Sequence, residues 1–190
     1  MRRLDVLALG AVAVLVAGAF AYGQRHDGGP PPDELAPLRA AAALAPCPSA
    51  LTPDLEGVVL PCLGGGADVE AGGVPSGPTL VNVWGTWCGP CVREVPELVE
   101  FAERAQDRVA VVGVLTTDTE RNGLLFAEQY GMRYANVVDA DGVVRSRYGA
   151  GAPITLLVDA AGRVAHVERG EIDSVEQVEA LVAEHLGVRL

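Results

Sequence analysis

Two cysteines separated by two residues, Cys88 and Cys91, can interconvert between a dithiol and a disulfide, and they stand in the run Trp87-Cys88-Gly89-Pro90-Cys91. The attacking species in such an exchange is a thiolate, so Cys88 needs a lowered pKa. The apolar run Thr79-Leu80-Val81-Asn82-Val83-Trp84 reads as a strand and Val92 to Ala105 as a helix, which places the pair at a strand-to-helix turn. There the helix dipole and the first, unpaired backbone N–H groups favour a thiolate. With no lysine in the chain, the dipole must supply most of that effect. Cys91, one turn inside the helix, would be the more buried of the two and would resolve a mixed disulfide. Gly89 allows the tight turn, and Pro90 opens the helix where a missing N–H costs nothing. A structural disulfide and half of a zinc site are the alternatives, although zinc usually wants a second close Cys or His pair.

Glu94 is followed by Leu98 and Phe101 at i+4 and i+7, so it lies on the apolar flank of the helix, apart from Arg93, Glu97, Glu100 and Arg104. A carboxyl there would be partly desolvated and its pKa raised, which suits it to exchange protons with the cysteines one turn earlier. The alternative is a first-turn acid that merely complements the helix dipole. Trp84 reads as core. Trp87, beside Cys88, reads as part of a docking surface together with Gly89 and Pro90. Pro96, inside the helix, should kink it.

The elements that must position these residues are legible from Thr79 onwards. Strands are predicted near 79–85, 109–115, 154–158 and 163–168, and helices near 91–106, 119–130 and 174–186. A strand-helix-strand unit comes first and a hairpin follows, turned at Asp159-Ala160-Ala161-Gly162. Ser174 and Gln177 form a capping-box pattern for the last helix. Thr116 to Thr119 reads as the turn and N-cap of the preceding one, with no function invoked, and Asp139 to Gly142 reads as a turn. Leu35 to Ala45 suggests a short helix, and residues 46–78 carry little readable pattern.

The chain divides into residues 1–23, a linker over 24–45, and a domain over 46–190 with an N-terminal extension at 46–78. Arg2 and Arg3 precede a largely apolar stretch of 17 residues from Val6 to Tyr22. That is near the lower limit of about 17 to 25 residues for a spanning helix. The segment reads as an export signal, either a retained signal anchor or a signal peptide cleaved at Ala19-Phe20-Ala21. Either way the domain works outside the cytoplasm. In an exported protein an even cysteine count points to a disulfide, here between Cys47 and Cys62, which enclose 14 residues. Closing a loop of about 15 residues stabilises by roughly 3 kcal/mol in the chain-entropy description. A second redox pair that relays electrons is the other reading. The formal charge of −11 leaves no basic stripe for nucleic acid.

The stretch from Val81 to Pro96, Val-Asn-Val-Trp-Gly-Thr-Trp-Cys-Gly-Pro-Cys-Val-Arg-Glu-Val-Pro, resembles the thioredoxin superfamily in its extracytoplasmic TlpA/ResA-like branch, over roughly residues 55 to 187. Asn82 stands where thioredoxin carries a buried aspartate, and Glu94 matches the acidic residue of the ResA-like proteins. The resemblance implies an α/β, thioredoxin-like fold with a mixed central sheet and flanking helices. It implies a cis bond at Ala152-Pro153 that faces the cysteines and holds a substrate backbone. It also implies protein disulfide or dithiol substrates, apocytochrome c cysteines among them, an electron donor such as a CcdA-type membrane protein, and no metal or organic cofactor.

The leading expectation is a membrane-tethered thiol-disulfide oxidoreductase, reducing rather than oxidising. A disulfide-forming oxidase and a thiol peroxidase are alternatives on the same fold. From another class comes a copper or zinc chaperone built on Cys88 and Cys91, although His26, His166 and His185 lack motif spacing to them.

Overall fold

The computed structural model describes residues 33–190, of which Leu35–Leu190 form a compact unit. The expected signal segment, residues 1–23, and residues 24–32 of the expected linker lie outside the described residues. No helix among the described residues is long and apolar enough to cross a membrane.

At the centre lies a five-stranded mixed sheet in the order β5-β4-β3-β6-β7. Its strands are β3 (Thr79–Trp84), β4 (Ala110–Thr116), β5 (Ala135–Asp139), β6 (Ile154–Val158) and β7 (Val164–Arg169). β3 pairs parallel with β4, β4 parallel with β5, β3 antiparallel with β6, and β6 antiparallel with β7. Parallel neighbours need long crossovers. These are α2 (Gly89–Ala105) between β3 and β4, and α3 (Glu120–Tyr130) between β4 and β5. The antiparallel pair β6 and β7 needs only the predicted turn, in which Asp159 N–H donates to the Arg163 carbonyl at 2.9 Å.

Every residue of β3 is buried, because both faces of the sheet are covered. Leu80 and Trp84 point into one core with Leu98 and Phe101 of α2, Leu124 of α3, and Val178 and Val182 of the last helix, α5 (Val175–Leu186). Val81 and Val83 point the other way, into a core completed by Leu51, Leu55, Leu60, Val69 and Val144. The second core explains the extension that the sequence left unpatterned. Its elements are a 3-10 turn at Pro53–Leu55 and a two-residue ladder of β1 (Val59–Leu60) with β2 (Val69–Glu70). They are shorter than any hydrophobic period, and they fold because they cover the sheet.

The sequence also gave no sign of β5 or of α4 (Val143–Tyr148), the short helix between β5 and β6. β5 would leave an open edge. The extension closes it: Leu63 N–H donates to the Asn136 carbonyl and Val138 N–H to the Pro61 carbonyl, each at 2.9 Å, and Cys62 bridges to Val137. The disulfide Cys47–Cys62 fastens this cover. The short helix expected before it forms as α1 (Ala36–Ala42) and packs on α3, with Arg39 paired to Glu120 at 2.8 Å and Ala42 fully buried. Part of the stretch read as linker therefore contributes to the core. The other predicted elements form within one or two residues of their expected ends, and α2 runs through Pro96 as one helix.

Candidate active site

Cys88 is the N-cap of α2, with extended backbone, and its sulfur accepts from the Cys91 N–H at 3.2 Å. Gly89 opens the helix and Pro90 follows it, where N–H groups have no helical partner. Cys88 and Cys91 are joined as a disulfide, with Cys88 3% exposed and Cys91 fully buried. Cys88 is the less buried of the two and stands at the helix N-terminus, where the dipole favours the thiolate that reduction would release.

Glu94, one turn further along α2, is fully buried. Its Oε1 accepts from Asn82 Nδ2 at 2.8 Å and its Oε2 from the Ile172 N–H at 3.2 Å. Burial raises its pKa to about 7, against the opposing pull of those two hydrogen bonds, with a further upward contribution from Glu171. Burial outweighs the hydrogen bonds because a charged carboxylate loses its water on every side while gaining only two donors. Glu94 shares the buried face of α2 with Cys91, Val95, Leu98 and Phe101, the face that the apolar spacing indicated.

The Ala152–Pro153 bond is cis and stands immediately before β6. The Pro153 carbonyl accepts from Gly170 N–H at 3.1 Å. Trp87 is 51% exposed, so it faces outward as expected, while Trp84 is fully buried. The Trp87 indole folds back over Gly85, where a Cβ would come within 2.5 Å of its nitrogen, and donates to the Thr116 carbonyl at 3.3 Å. The Arg145 guanidinium lies 5.9 Å from the Trp87 ring centroid.

Sequence reasoning missed the anchor of this loop. Asp118 Oδ2 accepts from both the backbone N–H and the hydroxyl of Thr86, at 2.9 and 2.6 Å, two residues before Cys88. Burial pushes the Asp118 pKa up, but hydrogen bonds from Thr86, Asn122 and Thr119 more than offset it and leave it below its ordinary value. The turn read as a plain N-cap thus carries two functions: Thr119 caps α3 by accepting from Asn122 N–H, and Asp118 holds the cysteine loop. No local spacing connects Asp118 to Thr86. Thr155, also missed, was visible as the one polar residue in an apolar strand, and its hydroxyl accepts from Asn82 Nδ2 at 3.1 Å.

On the outer side of α2, Arg93 grips Glu171 with a forked ion pair, and Glu97 accepts from the Val175 N–H at 2.9 Å at the start of α5. With the Glu94–Ile172 bond, three side chains of α2 hold the stretch from Glu171 to Val175. His166 and His185 stack on each other with ring centroids 4.1 Å apart, and His26 lies outside the described residues. Among the described residues no group of three or more His, Cys, Asp or Glu side chains is arranged to hold a metal ion.

The chain is 35% identical over 114 residues to the thiol:disulfide interchange protein DsbE of Allochromatium vinosum, covering 57% of this chain and 62% of the relative. It is 36% identical over 93 residues to the thiol-disulfide oxidoreductase ResA of Geobacillus thermodenitrificans, covering 48% and 53%. The chain thus spans a little over half the length of these curated relatives. Among solved structures it resembles MTB dsbF in its mixed oxidised and reduced forms, with a TM-score of 0.59 and 25% identity over 69% of this chain and 98% of that one. A secreted disulfide oxidoreductase of Mycobacterium tuberculosis shares the fold, with a TM-score of 0.57 and 24% identity over 67% and 93%. The fold is thioredoxin-like, and the Redoxin family profile matches residues 49–182, which include Cys62, Cys88, Cys91, Glu94 and Pro153, so the chain belongs to the Redoxin family.

Proposed function

We propose that this protein is a thiol-disulfide oxidoreductase that reduces protein disulfides outside the cytoplasm through Cys88 and Cys91. The observation that carries the proposal is the Cys88–Cys91 disulfide at the N-terminus of α2 with a buried carboxyl, Glu94, one turn behind it. In the reduced protein the Cys88 thiolate attacks a substrate disulfide, forming a mixed disulfide and releasing one substrate thiolate. Glu94 takes the proton from the Cys91 thiol, and the Cys91 thiolate then attacks the Cys88 sulfur. The second substrate thiolate leaves, two electrons have passed to the substrate, and the protein is left as the disulfide found here. A dithiol reductant must restore the starting state.

Ala152 and Pro153 orient the substrate. Among the described residues no backbone hydrogen bond engages Ala152, while the Pro153 carbonyl is taken by Gly170, so an extended substrate would pair at Ala152. Trp87, Gly89 and Pro90 form the adjoining docking surface. Cys47–Cys62 is structural, since it fastens the cover of the β5 edge. The apolar segment at residues 6–22 supports a membrane tether, a CcdA-type membrane electron donor fits that placement, and apocytochrome c cysteines fit as substrates by family resemblance. Measuring the Cys88/Cys91 potential against glutathione tests the direction. A strongly reducing value near −270 mV, as in thioredoxin, is expected, and one near about −120 mV, the range of strong oxidants, would refute the reductase reading.

A further inference from the structure

The side-chain amide of Asn82 lies between two oxygen atoms, and its own oxygen has no partner. Nδ2 donates to Glu94 Oε1 at 2.8 Å and to Thr155 Oγ1 at 3.1 Å, while Oδ1 is buried and unpaired. All three residues are fully buried, and Asn82 faces Thr155 directly across the β3–β6 ladder. A buried acceptor with no donor is rare and costly, so its presence here calls for a reason.

The two neighbours of the amide are both reversible. A threonine hydroxyl can accept or donate, and a carboxyl accepts when ionised but gains a donor when protonated. The two ends of an amide are nearly the same size, so turning it over exchanges donor for acceptor without disturbing the packing. The arrangement observed places two N–H donors on two acceptors and matches an ionised Glu94. With the amide turned over, Oδ1 would accept from the Glu94 carboxyl O–H and from the Thr155 O–H, which matches a protonated Glu94, while the NH2 group would take the position that Oδ1 now holds without a partner, a position that therefore fixes the amide in neither orientation.

We propose that the Asn82 amide turns over when Glu94 changes protonation state, with the Thr155 hydroxyl turning alongside it, so that one buried site serves both charge states of the carboxyl. No covalent bond in Asn82 or Thr155 changes. When Glu94 acts as base, the Cys91 S–H bond breaks and a Glu94 O–H bond forms, and the amide follows. Ile172 N–H remains on Oε2 in both states. The other titratable and charged groups around Glu94 are Cys88 and Cys91 on α2, the Arg93–Glu171 ion pair at the segment after β7, and Tyr134 before β5. None of these is hydrogen-bonded to the Asn82 amide. Asn82 and Thr155 are positioning residues for Glu94. The inference rests on the reading of Glu94 as a proton carrier and adds how the fold accommodates the proton.

The test is an NMR titration of the full-length chain with the Cys88–Cys91 disulfide intact, carrying 13C in glutamate carboxyls and 15N in asparagine amides. The Asn82 NH2 resonances should move with the same midpoint as the Glu94 carboxyl. The nuclear Overhauser contact between those protons and the Thr155 methyl should be present above that midpoint and lost below it. In Asn82→Leu both charge states lose their amide partner, so the Glu94 acid constant should change by less than about threefold, whereas an amide fixed as a donor would make it fall by about tenfold or more. An amide that stays still while Glu94 titrates overturns the proposal and leaves Glu94 as the proton carrier. A Glu94 carboxyl with no titration between pH 4 and pH 10 overturns both.

Discussion

Trp84 and Asn136 are hydrogen-bonded across a strand that lies between them: the indole Nε1 on β3 donates to Asn136 Oδ1 on β5 at 2.9 Å, passing over β4. The gap in β4 is Gly113, which sits in register with Asn82 on one side and Asn136 on the other. A Cβ at that position would stand 1.8 Å from Asn136 Oδ1 and 2.8 Å from Trp84 Nε1. Asn136 also donates to the Tyr134 carbonyl at 3.0 Å, and its own carbonyl accepts from the Leu63 N–H at 2.9 Å. The cover of the sheet edge is thereby linked to the strand that ends at the cysteine loop.

Gly113→Ala should break this bond and leave a buried indole N–H and amide oxygen to find new positions. The expected loss is about 2 to 4 kcal/mol, from overpacking together with unpaired buried polar atoms. Urea unfolding at fixed pH, with both disulfides intact, measures it.

Glu94→Gln keeps the volume of the side chain and removes the proton carrier. At neutral pH the exchange rate with a protein disulfide should fall about 100-fold, the usual scale of general-base loss. The wild-type rate should rise with pH through about 7, where Glu94 becomes ionised, and the variant should lack that inflection. Stopped-flow kinetics between pH 5 and pH 9 compares the two.

Stability carries the same signature with a definite sign. Burial raises the Glu94 pKa from 4.5 to about 7, so in that interval the folded state holds a proton that the unfolded chain has lost. The protein should therefore lose stability as pH rises from about 4.5 to about 7, by roughly 3 kcal/mol at most, and the contribution should be level above that interval. Subtracting the Glu94→Gln stability curve from that of the oxidised wild type isolates it.

Asp118→Ala removes the acceptor for the Thr86 backbone and hydroxyl, two residues from the attacking cysteine. The loop should lose its fixed position, with kcat/KM for protein disulfides falling about tenfold and stability falling by about 1.5 to 3 kcal/mol, the range for hydrogen bonds to a charged group. Exchange kinetics and thermal unfolding together read both effects.

Replacing Cys47 and Cys62 with serine should cost roughly 3 kcal/mol through the freed loop, while the potential of the Cys88/Cys91 pair stays unchanged. A shifted potential, or electron transfer from the Cys47/Cys62 dithiol to the Cys88–Cys91 disulfide, would identify the pair as a relay instead. Potentiometry with mass mapping of each pair separates the two.

Much of this site was legible because its pieces are local. A C-x-x-C run between an apolar strand and an amphipathic helix puts one sulfur at the helix N-terminus and the other inside it, and the spacing of Leu98 and Phe101 puts Glu94 on the buried flank. Less legible were the short elements. β1, β2 and α4 contain too few residues to show a period, and their order comes from the sheet face that they cover.

The sequence by itself determined the chemistry: which sulfur is presented, which is buried, and which carboxyl lies behind them on the same helix. Only the tertiary structure decided how that carboxyl is held. Glu94 meets Asn82 across 12 residues and Ile172 across 78, and Asn82 meets Thr155 across 73. Those meetings depend on the register of β3 against β6 and on the docking of α2 over the sheet. Neither is written in any local spacing, because strand register and helix docking are set by burial of the whole core.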